Sequence, residues 1–410
     1  MAELLNYFTP SRTFLVFWLA LIGGMVAGTQ INLSLSLLVW LTALWAVVAL
    51  SGQEKTFELP AIIFTGLGLG MIIWQLTGGE TWLHIGWLAT VGGYLTGLRD
   101  GIANQIFGAL PEPHGSLLVG ILFGNRVKLD PTLVKNFQIV GLSHVIAVSG
   151  YNLTILGANF RTLLRPILGR KALYFVLAII LVFTLMTGAP ASIVRAAIMA
   201  SLAVVAELLG RPNKSINILV VAAALMAIFE PKIITNIGFQ LSVAATYGLL
   251  RFSPVIKPLL AKRLPDLIAT IISEGTAAIL MTAPLIIFYF GRLSVISPIT
   301  NLLILPLVPL LMGLGLTGCL LIFLVPAIGS FFIQITWPIL ALIVWLTNYF
   351  ANLSWASVNV AMPVGGTIIV MAFLVAGVEY LRLLQARVEL AEQGAEFDLA
   401  AVTVKFDGAI

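Results

Sequence analysis

The sequence is poor in charged residues, cysteine and histidine. Only 10% of its 410 residues are charged and 60% are hydrophobic, whereas soluble domains average roughly 25% charged residues. This composition excludes a soluble globular protein. Cys319 is the one cysteine, which excludes an internal disulfide and a cysteine-rich zinc site. The three histidines form no HxH or HxxxH pair, so we expect no metal and no cofactor.

Long apolar runs recur along nearly the whole chain. A bilayer core about 30 Å thick needs about 20 apolar residues per helical span, and backbone groups in lipid must be paired within the protein. We therefore expect an all-α, polytopic transmembrane bundle of about ten to thirteen helices, with broken or re-entrant segments. The apolar piece at 116–124 is too short to cross a membrane, so it is expected to be re-entrant or buried.

The chain is expected to divide into three segments. Transmembrane helices occupy residues 1–97, a larger transmembrane domain occupies 98–384, and a polar tail with five acidic residues occupies 385–410. The first apolar run has no recognisable cleavage site, so it is expected to be a retained helix.

Three basic stretches indicate which side faces the cytoplasm. They lie at 161–171, 211–214 and 251–263, and two predicted spans separate each from the next. All three therefore fall on the same side, which the positive-inside rule makes cytoplasmic. The same rule explains most of the net charge of +5 without an anionic partner.

The stretch GLSHVIAVSGYN at 141–152 collects polar and helix-weakening residues within a very apolar chain. A broken, cavity-lining helix would explain them. A small-residue helix contact, in which serine bonds back to its own helix, would also explain the serines. For the histidine and the asparagine, a pore or an internal polar network is favoured. The candidate residues are Ser143, His144, Ser149, Gly150 and Asn152.

Two arginines interrupt later apolar runs. A central arginine costs about 2.5 to 3.5 kcal/mol on insertion scales, so it normally faces an interior or a hydrated path. Arg195 lies about one and a half turns into its segment, where it either snorkels to the interface or faces an internal cavity. Arg292 precedes a proline-broken helix and is interpreted as an interfacial turn residue, although it is included among the candidate channel residues.

A third polar group lies in NIGFQLSVAATYG. Asn236 and Gln240 are spaced i, i+4, which predicts a shared helix face, and Ser242 follows closely. This polar stripe indicates either an interior surface or hydrogen bonding between helices.

Catalysis is not expected. In one continuous helix, His144 and Ser149 would lie about 140° apart around the axis, so they would not face each other. An intramembrane protease of the rhomboid kind takes its histidine from a later helix, and no histidine follows His144 here. We therefore predict no catalytic residue, and the residues alone indicate a transporter or channel of unspecified cargo.

Four stretches, in order, resemble the Competence domain of ComEC-type DNA-uptake channels. Their motifs include GLSHVIAVSG, GAPASIVRAAIMASL, NIGFQLSVAATYGLL and FYFGRLSVISPITNLL. The resembling ranges are 110–150, 188–202, 231–250 and 283–312.

The resemblance implies a channel in the cytoplasmic membrane that imports single-stranded DNA during natural transformation. It makes 98–384 a Competence-type channel domain, GLSHVIAVSG part of the channel core, and Arg195, Asn236 and Gln240 motif positions. The implied partners are single-stranded DNA, membrane lipid, and a separate DNA receptor, nuclease and cytoplasmic motor. A small-solute or lipid-precursor transporter that shares the fold is the alternative.

The sequence departs from the resembled family in three places. Only SGQEKTFEL separates the second and third predicted spans, so we expect no OB-like module there. No HxHxDH signature occurs, so we expect no metallo-β-lactamase-like domain. Asn152 stands where the family usually has a second histidine, which keeps hydrogen bonding but removes protonation.

Overall fold

The fold of the chain is almost entirely helical. The computed structural model describes residues 10–31, 34, 37–39, 41–43, 46, 55–77, 86–125, 127–146, 149–209 and 215–392. Helix accounts for 83% of the structure, and two three-residue strands form one antiparallel pair. The predicted all-α class is confirmed.

The described residues form seventeen α-helices, two short 3-10 helices and two strands. In chain order they are α1 (Pro10–Gly28), α2 (Lys55–Thr77), α3 (Gly86–Ala109), α4 (His114–Phe123), α5 (Pro131–Ile139), α6 (Gly150–Leu168), the 3-10 helix Gly169–Lys171, α7 (Ala172–Met186), α8 (Ala191–Leu208), α9 (Ser215–Phe229), the 3-10 helix Pro231–Thr235, α10 (Ile237–Arg251), α11 (Ser253–Ala261), α12 (Asp266–Phe290), β1 (Arg292–Ser294), α13 (Ser297–Ile304), α14 (Leu307–Leu324), α15 (Pro326–Ile335), α16 (Trp337–Ala351), β2 (Ser357–Asn359) and α17 (Val364–Glu392).

Several of these helices can cross a membrane, so the chain is a multi-pass membrane protein. Within the described ranges, five segments are long and apolar enough: Asn152–Met186, Ala191–Leu208, Asp266–Phe290, Pro326–Ala351 and Val364–Gln385. A sixth is the pair formed by α13 and α14, which is bent by 41°. Four shorter apolar helices accompany them in the described part of the chain. The apolar runs of the sequence predicted about ten to thirteen membrane helices.

The short apolar piece predicted at 116–124 is a buried helix. It forms α4, a helix of ten residues in which every residue from Gly115 to Phe123 is buried. Helices α3, α14 and α16 pack around it. Burial of each large apolar side chain contributes roughly 1.5–3 kcal/mol, so α4 is the centre of the apolar core of its unit.

The proline break predicted after Arg292 is also present. Helix α13 ends at Ile304 and α14 begins at Leu307, with Pro306 between them. Proline has no N–H to continue the helical bond pattern and clashes with the preceding turn. The chain therefore bends at this point and does not form one straight span.

The chain forms two compact units. The first comprises residues 1–85, 205–250 and 379–410, and the second comprises 86–204 and 251–378. In the first, α1 packs against α2 and α9. The domain boundaries expected at residues 97 and 384 stay predictions. Most of the expected polar tail, residues 393–410, lies outside the described residues.

In the second unit, α6, α7 and α8 share an apolar cluster. Its buried members are Leu153, Leu156, Val176, Ile180, Phe183, Ile193 and Ala196. This packing fixes the start of α6 close to the start of α8. The motifs that contain Gly150 and Arg195 therefore lie next to each other.

Two contacts indicate the direction of α17. Strand β1 follows α12 and pairs with β2, which precedes α17; Arg292 lies opposite Asn359. At the other end, the Tyr247 hydroxyl donates to Glu379 Oε1 at 3.1 Å. Because Tyr247 lies one turn before the basic 251–263 stretch predicted to be cytoplasmic, α17 is predicted to end on the cytoplasmic side.

This direction can be tested by cysteine accessibility, because Cys319 is the chain's one cysteine and is buried. In a Cys319→Ala background, Arg387→Cys should react with a membrane-impermeant maleimide only in inside-out vesicles. Asn359→Cys, at the exposed edge of β2, should react only in right-side-out vesicles. Labelling of both positions from one side would contradict the predicted course of α17.

Candidate functional site

Gly141 ends α5 and turns the chain towards the polar stretch. Its φ of 77° is left-handed, the Gly141 N–H donates to the Gln138 carbonyl at 3.2 Å, and the Leu142 N–H donates to the Phe137 carbonyl at 2.8 Å. These two bonds and the buried Leu142–Phe137 pair form a Schellman motif. A Cβ at this position would lie 2.6 Å from Ser297 Cβ, so both conformation and space require glycine.

The residues after Gly141 make one turn, with apolar side chains directed inward. The Val145 N–H donates to the Leu142 carbonyl at 2.9 Å, and Val145 is buried. Ser143 is half-buried and His144 is exposed. The environment of His144 is therefore not a closed apolar pocket, and its role in lining a channel stays a prediction.

Ser149 and Asn152 start α6 as a reciprocal cap. Ser149 has extended backbone angles, and its hydroxyl accepts from the Asn152 N–H at 3.4 Å. The same hydroxyl donates to Asn152 Oδ1 at 3.1 Å. A serine at this position satisfies one of the N–H groups that the first helical turn leaves without a partner.

Asn152 also joins α6 to the buried helix α4. Its Nδ2 donates to the Ile121 carbonyl at 3.0 Å, and its side chain is only 3% exposed. Ile121 lies in the last turn of α4, where carbonyls have no partner within the helix. Asn152 is therefore a buried connector between two helices, and its place in a channel stays a prediction.

Arg195 lies at the same end of α6. It is 6% exposed, and its Nη1 is 3.1 Å from Met199 Sδ. A Cβ added to Gly150 would be 3.1 Å from both Arg195 Nη2 and Ala196 Cβ. The VSG motif and the arginine motif thus meet because glycine leaves room for the guanidinium. Burial favours the internal position over the snorkelling alternative.

The charge arrangement at this point favours anions. The first turn of a helix carries a partial positive charge from its N–H groups, and the Arg195 guanidinium lies beside that turn. No acidic residue occurs in the sequence between residues 131 and 206. The start of α6 can therefore attract a phosphate or carboxylate, with no acidic side chain from this part of the chain to compete.

Asn236, Gln240 and Ser242 belong to the other unit, at the start of α10. Asn236 precedes the helix and caps it by accepting from the Phe239 N–H at 3.1 Å. Gln240 Nε2 donates to the Ile234 carbonyl at 2.8 Å, and Ser242 is half-buried. The shared helix face predicted for Asn236 and Gln240 is wrong, because Asn236 lies outside the helix. Their place in a channel stays a prediction.

Arg292 is the first residue of β1, directly after Gly291, which ends α12 in the left-handed conformation. Its Nε donates to Asn359 Oδ1 at 3.4 Å across the strand pair. Arg292 therefore lies at the turn between α12 and β1, and the interfacial location of this turn stays a prediction. The inclusion of Arg292 among the channel residues stays a prediction.

Sequence reasoning missed a buried polar group on α13. The Thr300 hydroxyl donates to the Val140 carbonyl at 2.8 Å, and Asn301 Nδ2 donates to Ser297 Oγ at 3.1 Å. Asn301 Oδ1 is buried and has no hydrogen-bond partner within the described residues. The motif SPITN, which lies within one of the stretches that resemble the Competence domain, was the available signal.

Comparison with known proteins places these motifs in one family. A family model described as Competence protein matches residues 121–385. ComE operon protein 3 of Bacillus subtilis (strain 168) is 25% identical over 260 residues, which cover 63% of this chain and 32% of that protein. The chain thus matches about a third of the length of this curated relative. No solved structure matches the chain.

The space at Gly150 can be tested against a second glycine of the same helix. Gly150→Ala should lower stability by about 1–3 kcal/mol, because the new methyl group would displace Arg195 or Ala196. Gly157→Ala is the matched control, since its Cβ would meet only Val176 Cγ1 at 3.9 Å. It should be neutral or stabilising by about 0.5–1 kcal/mol. Thermal unfolding in detergent, followed by tryptophan fluorescence, measures both; equal effects would contradict the close contact.

The connector role of Asn152 predicts that alanine substitutions of two asparagines in α6 will differ in their effect on stability. Asn152→Ala should cost about 1–3 kcal/mol of stability, because the buried Ile121 carbonyl loses its partner. Asn159→Ala, at an exposed position of the same helix, should change stability by less than about 0.5 kcal/mol. Unfolding midpoints that coincide for the two variants would show that the bond to Ile121 is dispensable.

Proposed function

Because this chain belongs to the Competence protein family, we propose that it forms the conduit by which a single DNA strand crosses the cytoplasmic membrane during natural transformation. In this proposal the chain conducts the strand and performs no chemistry on it. The multi-pass helical architecture supports a conduit, and the family supports a role in DNA uptake.

The observation that carries this proposal is the position of Arg195 at the start of α6. A guanidinium can donate two parallel hydrogen bonds to a phosphate, and the start of a helix favours an anion. Gly150 brings these two features into contact. A polyanion that reached this point would meet two sources of positive potential inside an otherwise apolar protein.

The absence of acidic residues from this part of the sequence supports the same cargo. Residues 131–206 include all of α5, α6 and α7 and most of α8, and they contain lysine and arginine but neither aspartate nor glutamate. A carboxylate in this stretch would repel phosphates and neutralise Arg195. A stretch that contains basic but no acidic residues suits a strand that carries one negative charge per nucleotide.

In this proposal the buried Arg195 and Asn152 belong to a closed state of the conduit. A strand can pass only if the start of α6 becomes hydrated, so transport requires a second, open state. A conduit must also release what it binds. One arginine and a few hydroxyl and amide groups would bind phosphates more weakly than a channel lined with many basic residues.

The proposed partners are those that strand import requires. A separate nuclease would act on the incoming DNA. A separate receptor would deliver the DNA, and a cytoplasmic motor would draw the strand inward. Membrane lipid would surround the apolar outer surfaces of the spans.

DNA import by variants that change the charge or shape of the Arg195 side chain tests the proposed conduit. Arg195→Gln should lower import of labelled DNA about tenfold or more, because a charge-assisted hydrogen bond contributes roughly 1.5–3 kcal/mol. Arg195→Lys should retain part of the import, since it keeps the charge but loses the planar fork. Arg170→Gln is the control, because it removes the same charge in the 3-10 helix Gly169–Lys171, outside the candidate channel residues. Membrane levels of all variants should match the unmodified protein.

Import assays on a deletion strain separate this function from the alternative. Loss of DNA import, restored by the unmodified gene, supports the conduit. Unchanged import on deletion, or in the correctly inserted Arg195→Gln variant, would contradict it. A defect in uptake of a small solute or lipid precursor with normal DNA import would favour the alternative transporter.

A further inference from the structure

Helix α6 has one apolar face and one polar face. The buried face includes Leu153 and Leu156, which pack against α7 and α8. Most of the opposite face is exposed and carries polar or small side chains spaced three or four residues apart, so they form one stripe along the helix. The residues of this stripe are Thr154, Ala158, Arg161, Thr162 and Arg165.

The stripe ends in a groove at the cytoplasmic end of α6. The groove has a volume of about 300 Å³ and is lined by Arg161, Thr162, Arg165 and Pro166. Arg161 and Arg165 are one helical turn apart, which brings their Cβ atoms within about 5–6 Å of each other. Two guanidinium groups at this spacing can contact successive phosphates of an extended strand.

The positive-inside rule explains why basic residues lie on this side, but it does not explain their arrangement. It requires only that lysine and arginine occur somewhere in the cytoplasmic loop, as Arg170 and Lys171 do in the following 3-10 helix. Arg161 and Arg165 instead lie inside α6, on the same stripe, and share one groove. The stripe also begins within one turn of Ser149 and Asn152, where Arg195 contacts the helix start.

We propose that the groove formed by Arg161, Thr162 and Arg165 binds the phosphodiester backbone of a single DNA strand at the cytoplasmic end of the path. This inference rests on the proposed function, because it takes the same strand as the ligand. The Thr162 hydroxyl donates to the Ala158 carbonyl at 2.9 Å. The positive charge of the groove comes from its two arginines, which therefore carry the recognition. Contacts to phosphates alone read no base, which gives binding that is independent of sequence.

Binding of a fluorescent oligodeoxythymidine to the full chain in zwitterionic lipid nanodiscs tests the groove. The Arg161→Gln/Arg165→Gln variant should bind about tenfold more weakly, and its slope of log affinity against log salt should fall by about 1.4, since each single-strand phosphate contact contributes about 0.7. The Arg170→Gln/Lys171→Gln variant loses the same charge in the same loop but leaves the groove intact. It should keep the slope of the unmodified protein.

Three results would overturn the inference. The first is equal loss of affinity in the two double variants, which would assign the effect to general positive charge. The second is an absence of strand binding by the unmodified protein. The third is a groove effect seen only in nanodiscs containing phosphatidylglycerol, which would make a lipid headgroup the ligand.

Failure of this inference can be distinguished from failure of the conduit. Strand binding that depends on Arg161 and Arg165, together with normal DNA import in a deletion strain, would support the groove and refute the proposed function. Import that is lost on deletion, together with unchanged strand binding by the Arg161→Gln/Arg165→Gln variant, would refute the groove and leave the conduit intact.

Discussion

The hydrogen bond from Asn152 to the Ile121 carbonyl is the constraint on which the polar centre of this protein depends. Helix α4 ends inside the apolar core, where an unpaired carbonyl would cost several kcal/mol because no water can replace the missing partner. Asn152 supplies that partner from the first turn of α6. The bond therefore holds the start of α6 against the end of α4, and everything built around that start follows from this placement.

Backbone carbonyls near the end of α5 also have hydrogen-bond partners, but these partners are of other kinds. Gly141 closes the end of α5 with backbone bonds, and Thr300 donates to the Val140 carbonyl from α13. Asn152 and Thr300 thus each pair with a backbone carbonyl at the end of another helix. Arg195 differs, because its guanidinium brings a full positive charge to the start of α6. A phosphate would be attracted to this charge more strongly than to the neutral serine hydroxyls.

The sequence predicts the parts of this fold that depend on composition and local pattern. The low charge and long apolar runs indicate a helical membrane protein, the length of 116–124 indicates a buried or re-entrant piece, and Pro306 indicates a break. The partner of Asn152 could not be predicted, because it is a backbone carbonyl 31 residues earlier and any residue type would provide it. For Asn236 the sequence allowed two local interpretations. Its spacing from Gln240 fits a shared helix face, but asparagine is also a preferred N-cap. In the structure Asn236 forms the cap. The meeting of Gly150 with Arg195 depends on how α6 and α8 pack, which no local pattern specifies.

The central claim is that a DNA strand passes the start of α6 and leaves along its polar stripe. The most direct measurement is a cryo-electron microscopy structure of the protein in a lipid nanodisc with a single-stranded oligonucleotide bound. If the strand takes this path, its phosphates will lie beside Arg195 and the first turn of α6, and again beside Arg161 and Arg165. Strand density that follows another surface while Arg195 stays dry and packed against Gly150 would contradict it.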